Sequence, residues 1–323
     1  MAKKIIVSVI KAFLLLVLVS VVTFTMIEVS PIDAVEAYIG ENGVTAEQRA
    51  QIENYWGLNE PPVIRYIKWA GNILHGDMGT SMIYRKPVLE VISERFSLSI
   101  ALMITAWILS GIFGLLFGIL VAVYRGRWID KAIRTYCLAL ESSPAFWIGM
   151  LLLLIFSVKL HWFPMGLASP AGVAVEDATF AEKVHHLILP AITLGLTGVS
   201  KITLQTGEKM RQVLDSDYAL FARARGESTW VFIRRHGLRN VMLPFLTLQL
   251  GSISELFGGS VLAETVFTYP GLGNATVQSA LRGDIPLFIG IALFSSVFVF
   301  GGNLLANILY AVVDPRIREG EKE

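Results

Sequence analysis

The stretch LSIALMITAWILSGIFGLLFGILVAVY, residues 98–124, carries no charged side chain from end to end. As a helix rising about 1.5 Å per residue it is long enough to cross a hydrocarbon core of about 30 Å. A run this long and this uniformly apolar makes the bilayer the natural solvent. Five further runs are long and predominantly apolar, with at most two charged residues each, at 5–27, 136–158, 187–205, 241–267 and 286–313. The expected fold class is therefore an all-α membrane protein with six transmembrane helices. Composition agrees: 54% of the residues are hydrophobic and only 16% charged, more apolar surface than one soluble core needs. The net charge is +1 and no basic tract interleaved with aromatics occurs, which argues against a nucleic-acid partner. The single cysteine, Cys137, cannot close an internal disulfide, and no Cys/His spacing suits zinc. No metal or cofactor site is expected in the chain.

The first run, broken only by Lys11, follows Lys3 and Lys4 as a secretory signal would. It exceeds an apolar signal region of roughly 7–15 residues, and no A-x-A cleavage site follows, so it reads as a retained first helix. Cations set the orientation. Lys3 and Lys4, then Arg125, Arg127, Lys131 and Arg134, then the arginines between 208 and 240, then Arg316 and Arg318, fall in alternate connecting segments. The positive-inside rule places those segments, and both termini, in the cytoplasm. The predicted organisation is a first transmembrane helix at 1–27 with a cytoplasmic N-terminus and an external subdomain at 28–96. A five-helix core follows at 97–313, with a long cytoplasmic loop at 208–240, and a cytoplasmic tail at 314–323. Within the external segment, 63–74 has apolar residues at helical spacing, with Trp69 and Ile73 four apart, and is expected to be a short helix near the membrane interface.

The cytoplasmic loop is the most specific part of the chain. Its centre, DYALFARARG (217–226), is a good helix former that ends on a glycine suited to a left-handed stop. A second helical stretch at 228–236 leads to Leu238, Arg239 and Asn240 at the mouth of the next span. Two short helices joined at Gly226 make a stiff protrusion that a cytoplasmic partner can grip. Charge alone equally allows the arginines to enforce topology and bind anionic membrane lipid.

With HLILPAITLGL (186–196), RHGLRNVMLP (235–244), ETVFTYPGLG (264–273) and DPRIR (314–318) in the same order, the chain resembles the permeases of binding-protein-dependent ABC importers, in the dipeptide, oligopeptide and nickel branch. The resemblance covers essentially the whole length. It implies an inner-membrane permease that forms half of a translocation path for small peptides or nickel and other metal chelates. The implied partners are a second homologous permease, two ATP-binding subunits that carry ATP and Mg, and an extracytoplasmic solute-binding protein. It further implies that the 208–240 loop couples to the ATPase, with Ala222, Ala224 and Gly226 as the small residues of the coupling motif and Arg223 and Arg225 as its charged surface. The generic motif begins Glu-Ala-Ala, where Leu220, Phe221 and Ala222 stand here. No G-x-x-x-x-G-K-[ST] loop occurs in the chain, so ATP binding is expected on other subunits.

Polar groups inside a span are costly unless they face a cavity or one another, which makes Glu141, Glu255 and Glu264 the candidate path residues. Glu141 precedes Ser142, Ser143 and Pro144, and a proline there can break the backbone ladder and open a cavity. Glu255 lies beside Gly258 and Gly259; it is either a path carboxylate or half of an ion pair with a base on a neighbouring helix. Glu264 heads a turn-rich block and is expected to be structural, with gating secondary. Lys201 is expected to snorkel toward the cytoplasmic interface, and Asn303 and Asn307 to hydrogen-bond between helices. His185 and His186 diverge by about 100° on a helix and do not suit one shared ion. An intramembrane hydrolase would need a nucleophile and base, or a metal motif, that the histidines do not supply. An ion-coupled secondary transporter would be expected to show repeated halves.

Overall fold

The computed structural model describes residues 2–29, 35, 45–56 and 59–313. The helices are α1 (Ala2–Glu28), α2 (Ala46–Trp56), α3 (Pro62–Leu74), α4 (Val88–Val123), α5 (Trp128–Glu141) and α6 (Ala145–Leu152), the last continuing through a π-helical Leu153–Lys159. They are followed by α7 (Phe180–Leu214), α8 (Asp217–Ala224) and α9 (Thr229–Phe232), and a π-helical Ile233–Gly237 joins α9 to α10 (Leu238–Val266). The chain continues with α11 (Leu272–Leu281) and α12 (Ile285–Val313). Among the described residues there is no strand, only one isolated bridge between Thr80 and Pro87. The protein is an all-helical membrane protein.

Among the described residues, four helical runs are long and apolar enough to cross a membrane: α4, α7, the α9–α10 run Thr229–Val266, and Ile285–Ala306 of α12. A fifth is made by α5 and α6 if the pair counts as one span, but its halves meet at 111°. The span expected at 136–158 is thus a sharply bent pair, broken where Pro144 stands. The bend follows from Pro144, which cannot donate to the helical ladder. The last carbonyls of α5 are satisfied locally: Leu138 accepts from the Ser142 amide at 3.0 Å and its hydroxyl at 2.8 Å, Ala139 from the Ser143 hydroxyl at 2.8 Å, and Leu140 from the Ser143 amide at 3.2 Å. The first expected span lies in α1, whose described apolar stretch, Ile10–Met26, is shorter than the others. The tail at 314–323, with its DPRIR block, lies outside the described residues.

The chain divides into two compact units, one of Met1–Leu98 with Pro270–Gly301 and the other of Ser99–Tyr269 with Gly302–Glu323. In the first, the helix expected at 63–74 is present as α3. It is fixed to α1 by an Arg65–Glu28 ion pair at 3.0 Å, a Ser20–Tyr66 hydroxyl bond at 2.8 Å, and a Phe24–Tyr66 edge contact at 5.4 Å. Asp284, fully buried, accepts from the Ser81 hydroxyl at 2.6 Å and the Leu287 amide at 3.2 Å, so one carboxylate pins a loop and caps the start of α12.

The second unit is built on close helix crossings. A Cβ on Gly114 would stand 2.7 Å from Ile202, and one on Gly118 would collide with the Thr206 hydroxyl, so α4 and α7 approach as only small residues allow. Trp107 and Gln249 exchange side-chain-to-backbone bonds at 2.7 and 2.6 Å, which locks α4 to α10. At the base of α5, Asp130 accepts from Arg211 with both oxygens at 2.8 Å, from Arg134 at 2.7 Å and from the Gly126 amide at 2.8 Å. This buried carboxylate ties α5 to the last turn of α7, immediately before α8.

Candidate functional site

Two features of the second unit bear on function, a protruding helix and a charged cavity. The protrusion is α8. Ala219 and Ala222 face inward and pack with Ile119, Met210, Phe232 and Val241, so the short helix is seated on the ends of α4, α7 and α10 at once. The other face carries Leu220 at 63% exposure and Phe221 at 65%, with Trp230 of α9 at 51%. Helix α8 closes with the Gly226 amide on the Arg223 carbonyl (2.9 Å) and the Glu227 amide on Ala222 (3.1 Å), the paired bonds of a left-handed glycine stop. Gly226 has φ +87°, a conformation that side-chain-bearing residues rarely adopt.

The five residues expected to couple are thus distributed unevenly. Ala222 is buried, and Ala224, Arg225 and Gly226 are exposed. The Arg223 guanidinium is tied to the Leu214 carbonyl at 2.7 Å, capping the end of α7, and the Arg225 guanidinium stands 6.0 Å over the Phe221 ring. The apolar outer face of Leu220, Phe221 and Trp230 was not foreseen. The available signal was the Leu220-Phe221 pair standing where the generic motif has polar or small residues.

The cavity holds about 290 Å³ between the bend of α5–α6 and helices α4, α7 and α10. Its wall is apolar apart from a few hydroxyls and three ionisable groups, Glu141, Lys201 and Glu255. Lys201 donates to both oxygens of Glu255, at 2.7 and 3.0 Å. Lys201, expected to snorkel toward the cytoplasmic interface, is paired with this carboxylate, which is the second of the two alternatives read for Glu255. Two of the three candidate path residues, Glu141 and Glu255, lie on this wall. The third does not. Glu264 is fully buried beside it, accepting from the Ser99 hydroxyl at 2.6 Å.

Asn303 accepts from the Ser254 hydroxyl at 2.7 Å, an interhelical bond of the kind expected; the Asn307 side chain lies outside the described residues. His185 and His186 sit 2.8 Å from different carbonyls, Trp162 and Gly166. A second cavity of about 470 Å³ lies in the first unit beside Arg65, Lys68 and Trp69. Both of its cations are already paired, Arg65 with Glu28 and Lys68 with Glu60.

Residues 114–319 match the family described as binding-protein-dependent transport system inner membrane component, and residues 1–103 match the N-terminal membrane component of the same systems. The chain is 37% identical over 302 residues to an oligopeptide transport system permease protein of Bacillus subtilis, covering 93% of this chain and 94% of the relative. It is 37% identical over 305 residues to a glutathione transport system permease protein of Salmonella paratyphi A, with 94% of each chain covered. It is 34% identical over 318 residues to a dipeptide transport system permease protein of Escherichia coli, with 93% and 94% covered. A solved structure of inward-facing conformations of the MetNI methionine ABC transporter superposes with a TM-score of 0.56 at 14% identity, over 70% of this chain and 97% of that one. That likeness is one of fold.

Proposed function

Because the chain belongs to the family of binding-protein-dependent ABC-importer permeases, we propose that it forms half of an ATP-driven path for peptides across the bacterial inner membrane. The other half is a second homologous permease, two ATP-binding subunits supply the energy, and an extracytoplasmic solute-binding protein delivers the cargo. Both termini and α8 face the cytoplasm, where the cations concentrate. Relatives at about a third identity are named for oligopeptides, dipeptides and glutathione, which favours peptides over metal chelates as cargo.

One observation carries this reading: α8 presents Leu220, Phe221 and the neighbouring Trp230 outward while Ala219 and Ala222 anchor it in the core. Large apolar side chains clustered on a short polar loop mark a docking surface rather than a folded end. Because Ala219 and Ala222 share one core with Met210 of α7 and Val241 of α10, a displacement of α8 carries the ends of both helices with it. Closure of an ATPase dimer against α8 would move those helices and the cavity wall they build. Arg225 flanks the apolar contact, while Arg223 holds the helix in place. Glu141 and Glu255 line the path, and Glu264 braces it from behind. A bilayer covers the remaining apolar surface.

The test is Gly226→Val. A β-branched residue at φ +87° costs on the order of 1–2 kcal/mol in backbone strain and shifts the stop of α8. A Cβ there meets nothing within 4 Å, so packing is spared. The variant is expected to insert in the membrane and to retain ATP hydrolysis by the complex while uptake collapses. Uptake at the parental rate would remove α8 from the coupling path.

A further inference from the structure

Lys201 and Glu255 form an ion pair on two helices long enough to span the bilayer, yet it is not sealed between them. Their side chains are 46% and 63% exposed, and both open on the cavity. An ion pair this accessible contributes little as a clamp between helices, and its charges stay within reach of other ligands. Glu141, also exposed, stands on the same wall at the end of α5. One cation and two anions leave that wall with a net charge of −1. An ammonium has three donors, and Glu255 takes two of them.

We propose that Glu141, Lys201 and Glu255 are a charge-matching station for cargo that bears both a free ammonium and a free carboxylate, the two ends of an unmodified short peptide. This rests on the reading of the cavity as part of the path. The cargo carboxylate takes the open side of the Lys201 ammonium, and its ammonium lies toward Glu141 and the released edge of Glu255. Each cargo charge then meets an opposite charge at the point where it has left bulk water, where an unmatched charge is most expensive. Adding a zwitterion leaves the total at −1, whereas a purely anionic cargo would raise it to −2, which the station disfavours. A cavity of about 290 Å³ is at the small end of ligand sites, which suits cargo of few residues.

The decisive variant is Lys201→Met/Glu255→Gln. It removes the counter-cation but leaves Glu141, so the net charge of the wall is unchanged, and because both partners are replaced no uncompensated charge is left to destabilise the fold. The complete transporter with its binding protein is reconstituted in vesicles, and uptake of labelled Ala-Ala is measured beside the thermal midpoint of the complex. The station predicts an unchanged midpoint and uptake reduced about tenfold or more, a loss equivalent to about 1.4 kcal/mol. Uptake within about twofold of the parent overturns it while leaving the permease reading intact. Loss of assembly both in this variant and in Lys201→Gln/Glu255→Gln shows that the pair is a clamp, and also overturns it. A parental complex that takes up no Ala-Ala overturns the station and the peptide-importer reading together.

Discussion

Replacing Phe221 with aspartate is expected to cut ATP-driven uptake more than tenfold while the chain still folds and inserts. The side chain is 65% exposed and contributes nothing to the core beneath α8, which is made by Ala219 and Ala222. Its removal therefore leaves intrinsic stability nearly untouched, as surface substitutions usually do. At a docked interface the same change loses an aromatic anchor, worth about 2 kcal/mol or more, and places an unpaired carboxylate where the ring was buried. The measurement is pull-down of the ATP-binding subunit together with uptake and the thermal midpoint. Ala222→Asp is the instructive contrast. It lies one position away but faces inward at 7% exposure, so it should lower the midpoint before any partner is involved. Full partner retention and full uptake by the Phe221 variant would place the docking surface elsewhere.

Asp130→Ala is expected to have the largest effect on stability. Asp130 is 6% exposed, and its carboxylate accepts four hydrogen bonds, two from Arg211 and one each from Arg134 and Gly126. Without it, Arg211, whose side chain is 15% exposed, retains only a long bond to the Val121 carbonyl at 3.4 Å. Leaving one partner of a buried ion pair uncompensated costs about 3–5 kcal/mol. In detergent, the variant should unfold at a markedly lower temperature and accumulate poorly in membranes. Asp130→Asn, which keeps some acceptor capacity, should fall between the two. If the alanine variant melts with the parent, the α5–α7 tie carries no weight. The same tie lies between α8 and the cavity, since Arg211 precedes α8 in the chain and α5 carries Asp130 in its first turn and Glu141 at its end. A destabilised Asp130 variant that still folds at low temperature should therefore also couple poorly.

Four of the six expected spans were legible because lipid imposes a severe rule: every backbone polar group must be paired within the segment, so long uncharged runs such as 98–124 have few alternatives to helix. Pro144 announced a break, but its angle depends on how Ser142 and Ser143 satisfy the freed carbonyls, which composition does not encode. The partner of Lys201 was not legible because periodicity relates neighbours three or four apart, and Glu255 is 54 positions away. In the coupling segment, the ordered blocks marked 217–226 as important, and Gly226 as its stop. They did not say which face of an eight-residue helix points inward. Two turns are too few for an apolar stripe to declare itself, so Ala222 read as part of the contact surface and Phe221 as a departure from pattern. The structure places Ala222 in the core and Phe221 outside it.

Transport by this chain depends on force arriving from a nucleotide-driven partner at α8. The most direct measurement purifies the tagged chain from its native membrane with whatever remains bound, reconstitutes that assembly with its binding protein, and follows peptide uptake with and without ATP. The expected result is a co-purifying ATP-hydrolysing subunit and uptake that requires ATP. Uptake that proceeds on an ion gradient, with no nucleotide-hydrolysing companion in the assembly, would contradict it.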